Sequence, residues 1–215
     1  MEIETRAMKD LKGFLSPEQI MAAIDSCDNL RDRLLLRLLW RTGCRISEIC
    51  RPGKDRPPAL GLRVSNVLWD QGALIICHAK RKGNPPRMVQ IDPETLTMVR
   101  EYLEKRLEES EFVIEVTRQM GYLIVRQAFE RIGIFSVGDS LVTKRLHPHP
   151  HHMRHSFAVH SVRVTGGNYG DLIKLQHHLG HASLNTTASY VQFDDKEQQK
   201  WYNGLWPGEK KEEKK

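Results

Sequence analysis

Leu179-Gly180-His181-Ala182-Ser183-Leu184-Asn185-Thr186-Thr187-Ala188-Ser189-Tyr190 is the stretch from which the rest of the chain is read. A Leu-Gly pair ends a helix, a histidine follows the turn, and a tyrosine lies on the short helix after it. Back toward the N-terminus, His151-His152-Met153-Arg154-His155-Ser156-Phe157-Ala158 sets His151 and Arg154 one turn apart on a helical face. Further back, Thr42-Gly43-Cys44-Arg45-Ile46-Ser47-Glu48-Ile49 places an arginine just beyond a glycine that can close a helix in the left-handed conformation.

Taken singly, each of these residues has an ordinary reading. Arg45 suits a solvated face, His151 a cap, His181 a partner for a helix C-terminal dipole, and Tyr190 a core position. Lys80, Arg81 and Lys82 suit a solubilising turn. Together they meet the demands of attacking a phosphodiester with a phenol. A free tyrosine has a pKa of roughly 10 and must be activated. The pentacoordinate transition state carries extra negative charge, which arginine forks can hold in bidentate fashion. The leaving oxygen needs a proton, which histidine or lysine can deliver. Glu48, one turn beyond Arg45, is within reach to orient that guanidinium.

Composition sets wider bounds. The chain has 215 residues, 40% hydrophobic and 28% charged, as expected of one globular domain with tails. No apolar run approaches the ~18 residues of a membrane span, and the charged N-terminus lacks a secretory h-region. Cys27, Cys44, Cys50 and Cys77 form no C-x-x-C pair, which is expected of reduced cysteines in a cytoplasmic protein. The net charge of +6 and pI near 9.2 favour a polyanionic partner. Ten histidines invite a metal reading, but no H-E-x-x-H motif or nearby cysteine pair supports it, so no metal is expected.

The predicted fold class is mainly α with a small antiparallel β-sheet (α+β). Residues 1–14 form a charged lead. Ser16 caps a helix, with Pro17 in its first turn and Gln19 completing a capping box. Residues 31–41 form a second helix with Leu34, Leu35, Leu38 and Leu39 as its apolar stripe, ended by Gly43. Arg45 opens a short turn, and residues 51–61 read as a loop. Strands are expected at 62–68, 73–77 and 88–91, the last two joined by a basic hairpin turn carrying Lys80, Arg81 and Lys82. Asp92 starts a helix running to about 109, and helical periodicity covers 122–132. A loop spans 136–145, closed by Pro148 and Pro150. Helices are then expected at 152–164, 171–179 and 184–191, with a disordered Lys/Glu tail at 207–215.

In sequence order, Arg45, Lys82, His151-x-x-Arg154, Leu-Gly-His181 and Tyr190 resemble the tyrosine recombinase, or phage integrase-type, family over roughly residues 15–193. The resemblance implies that residues 15–206 are its catalytic domain, without the helical DNA-clamping domain that usually precedes it. It implies site-specific cleavage and rejoining of double-stranded DNA through a 3′-phosphotyrosyl intermediate. Tyr190 is then the nucleophile, Arg45 and Arg154 hold the non-bridging oxygens, and Lys82 protonates the leaving oxygen, with Lys80 the other candidate. His151 assists proton transfer, His181 hydrogen-bonds the phosphate, and Glu48 supports. Lys80, Arg81 and Arg87 are expected to contact DNA. No cofactor is implied, because the phosphotyrosine conserves the bond energy. Self-association into a dimer or tetramer on DNA is expected, the segment 194–206 either docking on a neighbour or packing on its own domain. The rival functions are type IB topoisomerase-like relaxation and a non-catalytic DNA-binding accessory domain.

Overall fold

The computed structural model describes residues 14–53, 60–77, 85–107, 109–135, 147–181, 183 and 187. The N-terminal lead up to residue 13, the 136–145 loop, Lys80, Arg81, Lys82, Tyr190, the segment 194–206 and the tail lie outside them, as does the expected 184–191 helix apart from Thr187.

Seven helices and five short strands follow one another among the described residues: α1 (Pro17–Asp25), α2 (Leu30–Thr42), α3 (Ile46–Ile49), β1 (Cys50–Arg51), β2 (Val67–Leu68), β3 (Ala73–Ile76), β4 (Arg87–Gln90), α4 (Pro93–Lys105), β5 (Ile114–Thr117), α5 (Arg118–Arg131), α6 (Pro150–Thr165) and α7 (Tyr169–Leu179). The Ser16 capping box forms in both directions: the Gln19 N–H donates to Ser16 Oγ at 3.2 Å, and the Ser16 N–H donates to Gln19 Oε1 at 2.9 Å. Helix α2 is more deeply buried than its leucine stripe implies. Leu36 is fully buried along with Leu34, Leu35, Leu38 and Leu39, and Arg37 is 4% exposed. The helix is the central post of the domain, with α1, α3, α4, α5 and α6 packed around it.

The expected small antiparallel sheet is present in the order β2-β3-β4, with Leu74 opposite Val89 and Ile76 opposite Arg87. Its first strand is shorter than expected, because residues 64–66 wind into a 3-10 turn. A second, unexpected pairing joins β1 to β5 in parallel, Cys50 lying opposite Ile114. A two-residue strand carries too little periodicity to be read from sequence.

Three of the helix ends that differ from the sequence expectation do so for a clear local reason. Helix α4 stops at Lys105, since Arg106 turns extended (ψ 141°) and donates from its side chain to the Ser110 and Phe112 carbonyls. Helix α5 starts earlier, at Arg118, because Thr117 caps it. In α6, Pro150 occupies the first turn instead of closing a loop, because His149 acts as the N-cap. Phe157 on α6 packs against both the main core and a smaller apolar cluster between α6 and α7, which positions the ends of α2 and α7 close together.

Candidate active site

The site is built where the C-terminal ends of α2 and α7 meet. Each helix closes in the left-handed conformation, at Gly43 (φ 59°) and Gly180 (φ 66°). Gly43 is required twice over, since a Cβ there would lie 2.4 Å from the Phe157 ring. Helix C-termini leave carbonyls without intrahelical donors and carry partial negative charge. Here the Arg154 guanidinium and the His178 ring fill that need. Arg154, 2% exposed, donates from Nη1 to the Gly43 carbonyl at 2.7 Å and from Nη2 to the Leu179 carbonyl at 2.8 Å. The His178 Nε2 lies 2.9 Å from the Thr42 carbonyl, a third link between the same two ends.

Just beyond Gly43, Arg45 caps the single turn of α3. Its backbone N–H donates to Glu48 Oε2 at 2.9 Å and its Nη1 to Glu48 Oε1 at 3.1 Å. The Glu48 side chain is fully buried and also takes Arg87 Nη2 at 2.8 Å and Nη1 at 3.3 Å. Burial pushes the Glu48 carboxyl up, but the Arg87 and Arg45 hydrogen bonds and charges outweigh it and leave its pKa below the usual value. Glu48 is thus a carboxylate held between two guanidiniums.

His181 lies one residue past Gly180, with its Nδ1 2.9 Å from the buried Thr187 hydroxyl. Burial and then the charges of Arg154, Arg45 and Arg87 push its pKa down to about 4. The imidazole is therefore neutral near pH 7. In the tautomer that accepts the Thr187 hydroxyl at Nδ1, the Nε2–H can donate to an anion. Burial and the Arg45 charge lower Arg154 to about 10, so it remains cationic. Around Arg154, three guanidiniums (its own, Arg45 and Arg87) lie near the Glu48 carboxylate, which Arg45 and Arg87 pair with directly. That surplus of positive charge in a largely buried site is suited to a phosphate.

His151 is exposed at the start of α6, and its backbone N–H donates to His149 Nδ1 at 3.2 Å. It lines a depression of about 570 Å³ shared with Ile46, Arg118, Tyr122 and His149. Among the described residues no group of three or more His, Cys, Asp or Glu side chains is placed to hold a metal ion.

A model of the phage integrase family matches residues 15–197. The chain belongs to the phage integrase family. Within it, tyrosine recombinase XerD of Neisseria meningitidis serogroup B is 32% identical over 201 residues, covering 85% of this chain. Tyrosine recombinase XerA of Pyrococcus horikoshii is 26% identical over 197 residues, covering 87%. The chain spans 59% of the length of each of these relatives. Among solved structures, XerH site-specific recombinase bound to difH substrate superposes with a TM-score of 0.67 at 23% identity, covering 92% of this chain and 55% of that one. The Tn1549 transposon integrase in complex with transposon right end DNA gives 0.66 at 16% identity, covering 91% and 66%. At these identities the structural likeness is one of fold.

Of the family-type residues expected from sequence, the structure brings Arg45, Glu48, Arg154 and His181 into one cluster, with His151 near His181. Arg87, expected to contact DNA, is 9% exposed and bonded inside to Glu48 and to the His178 carbonyl. The signal was in the strand alternation. Arg87 shares its face of β4 with buried Val89, whereas Met88 and Gln90 face out. Sequence reasoning also missed His178, whose role depends on a partner 136 residues away.

Proposed function

We propose that this phage integrase-family chain carries the catalytic domain of a site-specific DNA recombinase that cuts and rejoins strands through a phosphotyrosine. The observation that carries the reading is the cluster of the Arg45 and Arg154 guanidiniums with neutral His181, served by the Glu48 carboxylate, with His181 nine residues before Tyr190 in the sequence. The Tyr190 phenolic oxygen attacks the scissile phosphorus, and the bond to the 5′-oxygen breaks. This leaves a 3′-phosphotyrosyl link and a 5′-hydroxyl. Arg45 and Arg154 offset the charge that develops on the non-bridging oxygens, and neutral His181 donates a hydrogen bond to one of them. Lys82, or Lys80 from the same turn, protonates the departing 5′-oxygen, and His151 assists in removing the phenolic proton. A second 5′-hydroxyl then reverses the step on the new partner strand. Bond energy is kept in the phosphotyrosine, so the reaction uses no metal or nucleotide.

The partner is duplex DNA, with exchange carried out by copies of the chain assembled as a dimer or tetramer on it. XerA and XerH structures and a lambda integrase dimer bound to a core site share the fold and support that reading. No helix among the described residues is long and apolar enough to cross a membrane, consistent with work on DNA in the cytoplasm.

The test is a covalent trap. Nicked half-site duplexes with randomised arms let the cut end diffuse away, and the product is read as a denaturation-resistant protein–DNA adduct. Wild type should give the adduct on the duplexes it selects. Tyr190→Phe should bind the same duplexes and give none. Selection of a duplex by wild type with no adduct would overturn the reading, and an adduct from Tyr190→Phe would move the nucleophile elsewhere. Relaxation of supercoiled DNA without exchange would reassign the chain to topoisomerase chemistry.

A further inference from the structure

We propose that Arg87 is a positioning residue: through Glu48 it fixes Arg45, and through the His178 carbonyl it fixes the helix end that leads to His181. Its catalytic consequence rests on the strand-cleavage reading above, whereas its hold on Arg45 does not.

Three parts of the chain converge on this guanidinium. Its Nη2 and Nη1 take the two oxygens of Glu48 at 2.8 and 3.3 Å, its Nε donates to the His178 carbonyl at 2.8 Å, and Nη2 lies 3.7 Å from Cys44 Sγ. The residue itself sits at the root of the β3–β4 hairpin, opposite Ile76, on the strand that follows the lysine-bearing turn. Arg45, the α7 end and the lysine hairpin therefore meet at one rigid planar group. A fork of fixed donors suits this task, since a lysine ammonium carries no planar array to span a carboxylate and a carbonyl together.

The alternative, a DNA contact, has little support in the geometry. The Arg87 side chain is 8% exposed, and the Glu48 carboxylate it holds is fully buried. Turning it out to a DNA phosphate would leave that carboxylate buried with one cation fewer. Glu48 needs Arg87 as well as Arg45: with both oxygens pinned from one side, it presents a fixed acceptor to the Arg45 backbone N–H and Nη1. Arg45 is 23% exposed in its side chain, and among the described residues the Glu48 carboxylate is its ion-pair partner and orients its guanidinium.

The experiment compares wild type, Arg87→Lys and Glu48→Gln in the full chain by three readouts. The first is the ¹⁵N–¹H signal of Arg45 Nε, assigned by its loss in Arg45→Lys. It should shift and broaden in both variants, because each breaks the same link from a different side. The second is duplex affinity as a function of salt. It should stay within about twofold of wild type with an unchanged slope. The third is single-turnover adduct formation, which should fall by roughly 10²-fold in Arg87→Lys, the usual cost of misplacing a reacting group by about an ångström. The loss in the double variant should match the larger single loss and not the product of the two. An Arg45 signal unmoved in Arg87→Lys overturns the proposal. So does weaker binding with a salt slope reduced by about one in a further variant, Arg87→Gln, which removes the cation: that is the mark of a phosphate contact. If wild type gives no adduct, the strand-cleavage reading fails, and the Arg45 signal still decides the role of Arg87. If Arg87→Lys does not fold, Glu48→Gln carries the same decision through the same signal.

Discussion

Arg37 and Arg154 are both buried arginines tied to α2, yet their charges are met in opposite ways. Arg37 donates to Thr95 Oγ1 at 2.9 Å and lies 2.5 Å from Glu94 and 3.7 Å from Asp92. Its charge is neutralised by carboxylates that also start α4, and its work is to hold two helices together. Arg154 bonds to two main-chain carbonyls, and the carboxylate near it is already shared by Arg45 and Arg87. Carbonyl dipoles satisfy its hydrogen-bonding groups without cancelling its charge. An uncompensated buried cation costs stability. Its presence is intelligible if an anion completes the site, and the phosphate of a cleavage substrate is such an anion.

The largest expected effect separates the two. Arg154→Met should slow adduct formation by roughly 10³-fold, the scale of losing a transition-state donor. Arg37→Met should leave the rate of the folded protein near wild type and cost about 2 kcal/mol of stability. That is less than for a fully buried pair, because Asp92 and Glu94 can turn to water. Single-turnover rates beside thermal melting check this. The contrast breaks if the Arg37 variant slows cleavage as much as the Arg154 variant.

Next comes Gly43→Ala, at the carbonyl that Arg154 grips. The positive φ and the approach to Phe157 and Leu179 predict a loss on the order of 2–4 kcal/mol, together with slower cleavage as Arg45 is displaced. An alanine variant of wild-type stability and rate would show that the two helix ends need not meet so closely.

The smallest effect is an acid titration in two stages. At the site end, the His149 N–H donates to His152 Nδ1 at 3.2 Å and the His151 N–H to His149 Nδ1 at 3.2 Å, so both rings must stay unprotonated there to cap α6. Burial lowers both pKa values, that of His152 to about 4. Groups with depressed histidine pKa values contribute stability in full above 6.5, and it is lost as pH falls from 6.5 toward about 4. At the Arg37 end, burial raises the Asp92 carboxyl, but Thr95, Arg41 and Arg37 hold it below its usual 3.8. Its contribution is therefore lost only at lower pH. Melting temperature should fall by several degrees between pH 7 and pH 5. His152→Gln, which keeps an acceptor at the capping-box position, should lose less. An equal loss in that variant would place the acid-sensitive step outside the α6 cap.

Much of this was legible in the chain. The Ser16 box, the Gly43 and Gly180 closures and the pairing of the two strands that flank the basic turn are signals carried within a turn or two of sequence. The inward face of Arg87 was legible too, through its parity with Val89, but its charge drew the expectation outward. The two-residue β1–β5 pairing and the His149 cap were not legible, since the first has no period and imidazole is an unusual cap.

By itself, then, the sequence determined several helix caps, the α+β class and the family, because capping bonds and hydrophobic periods act between near neighbours. Tertiary structure alone decided which charges are compensated. Arg87 meets Glu48 across 39 residues and the His178 carbonyl across 91, and Arg154 meets the Gly43 carbonyl across 111. Such partners are selected by how α2, α6 and α7 pack, and no local rule anticipates which of several arginines a buried carboxylate will hold.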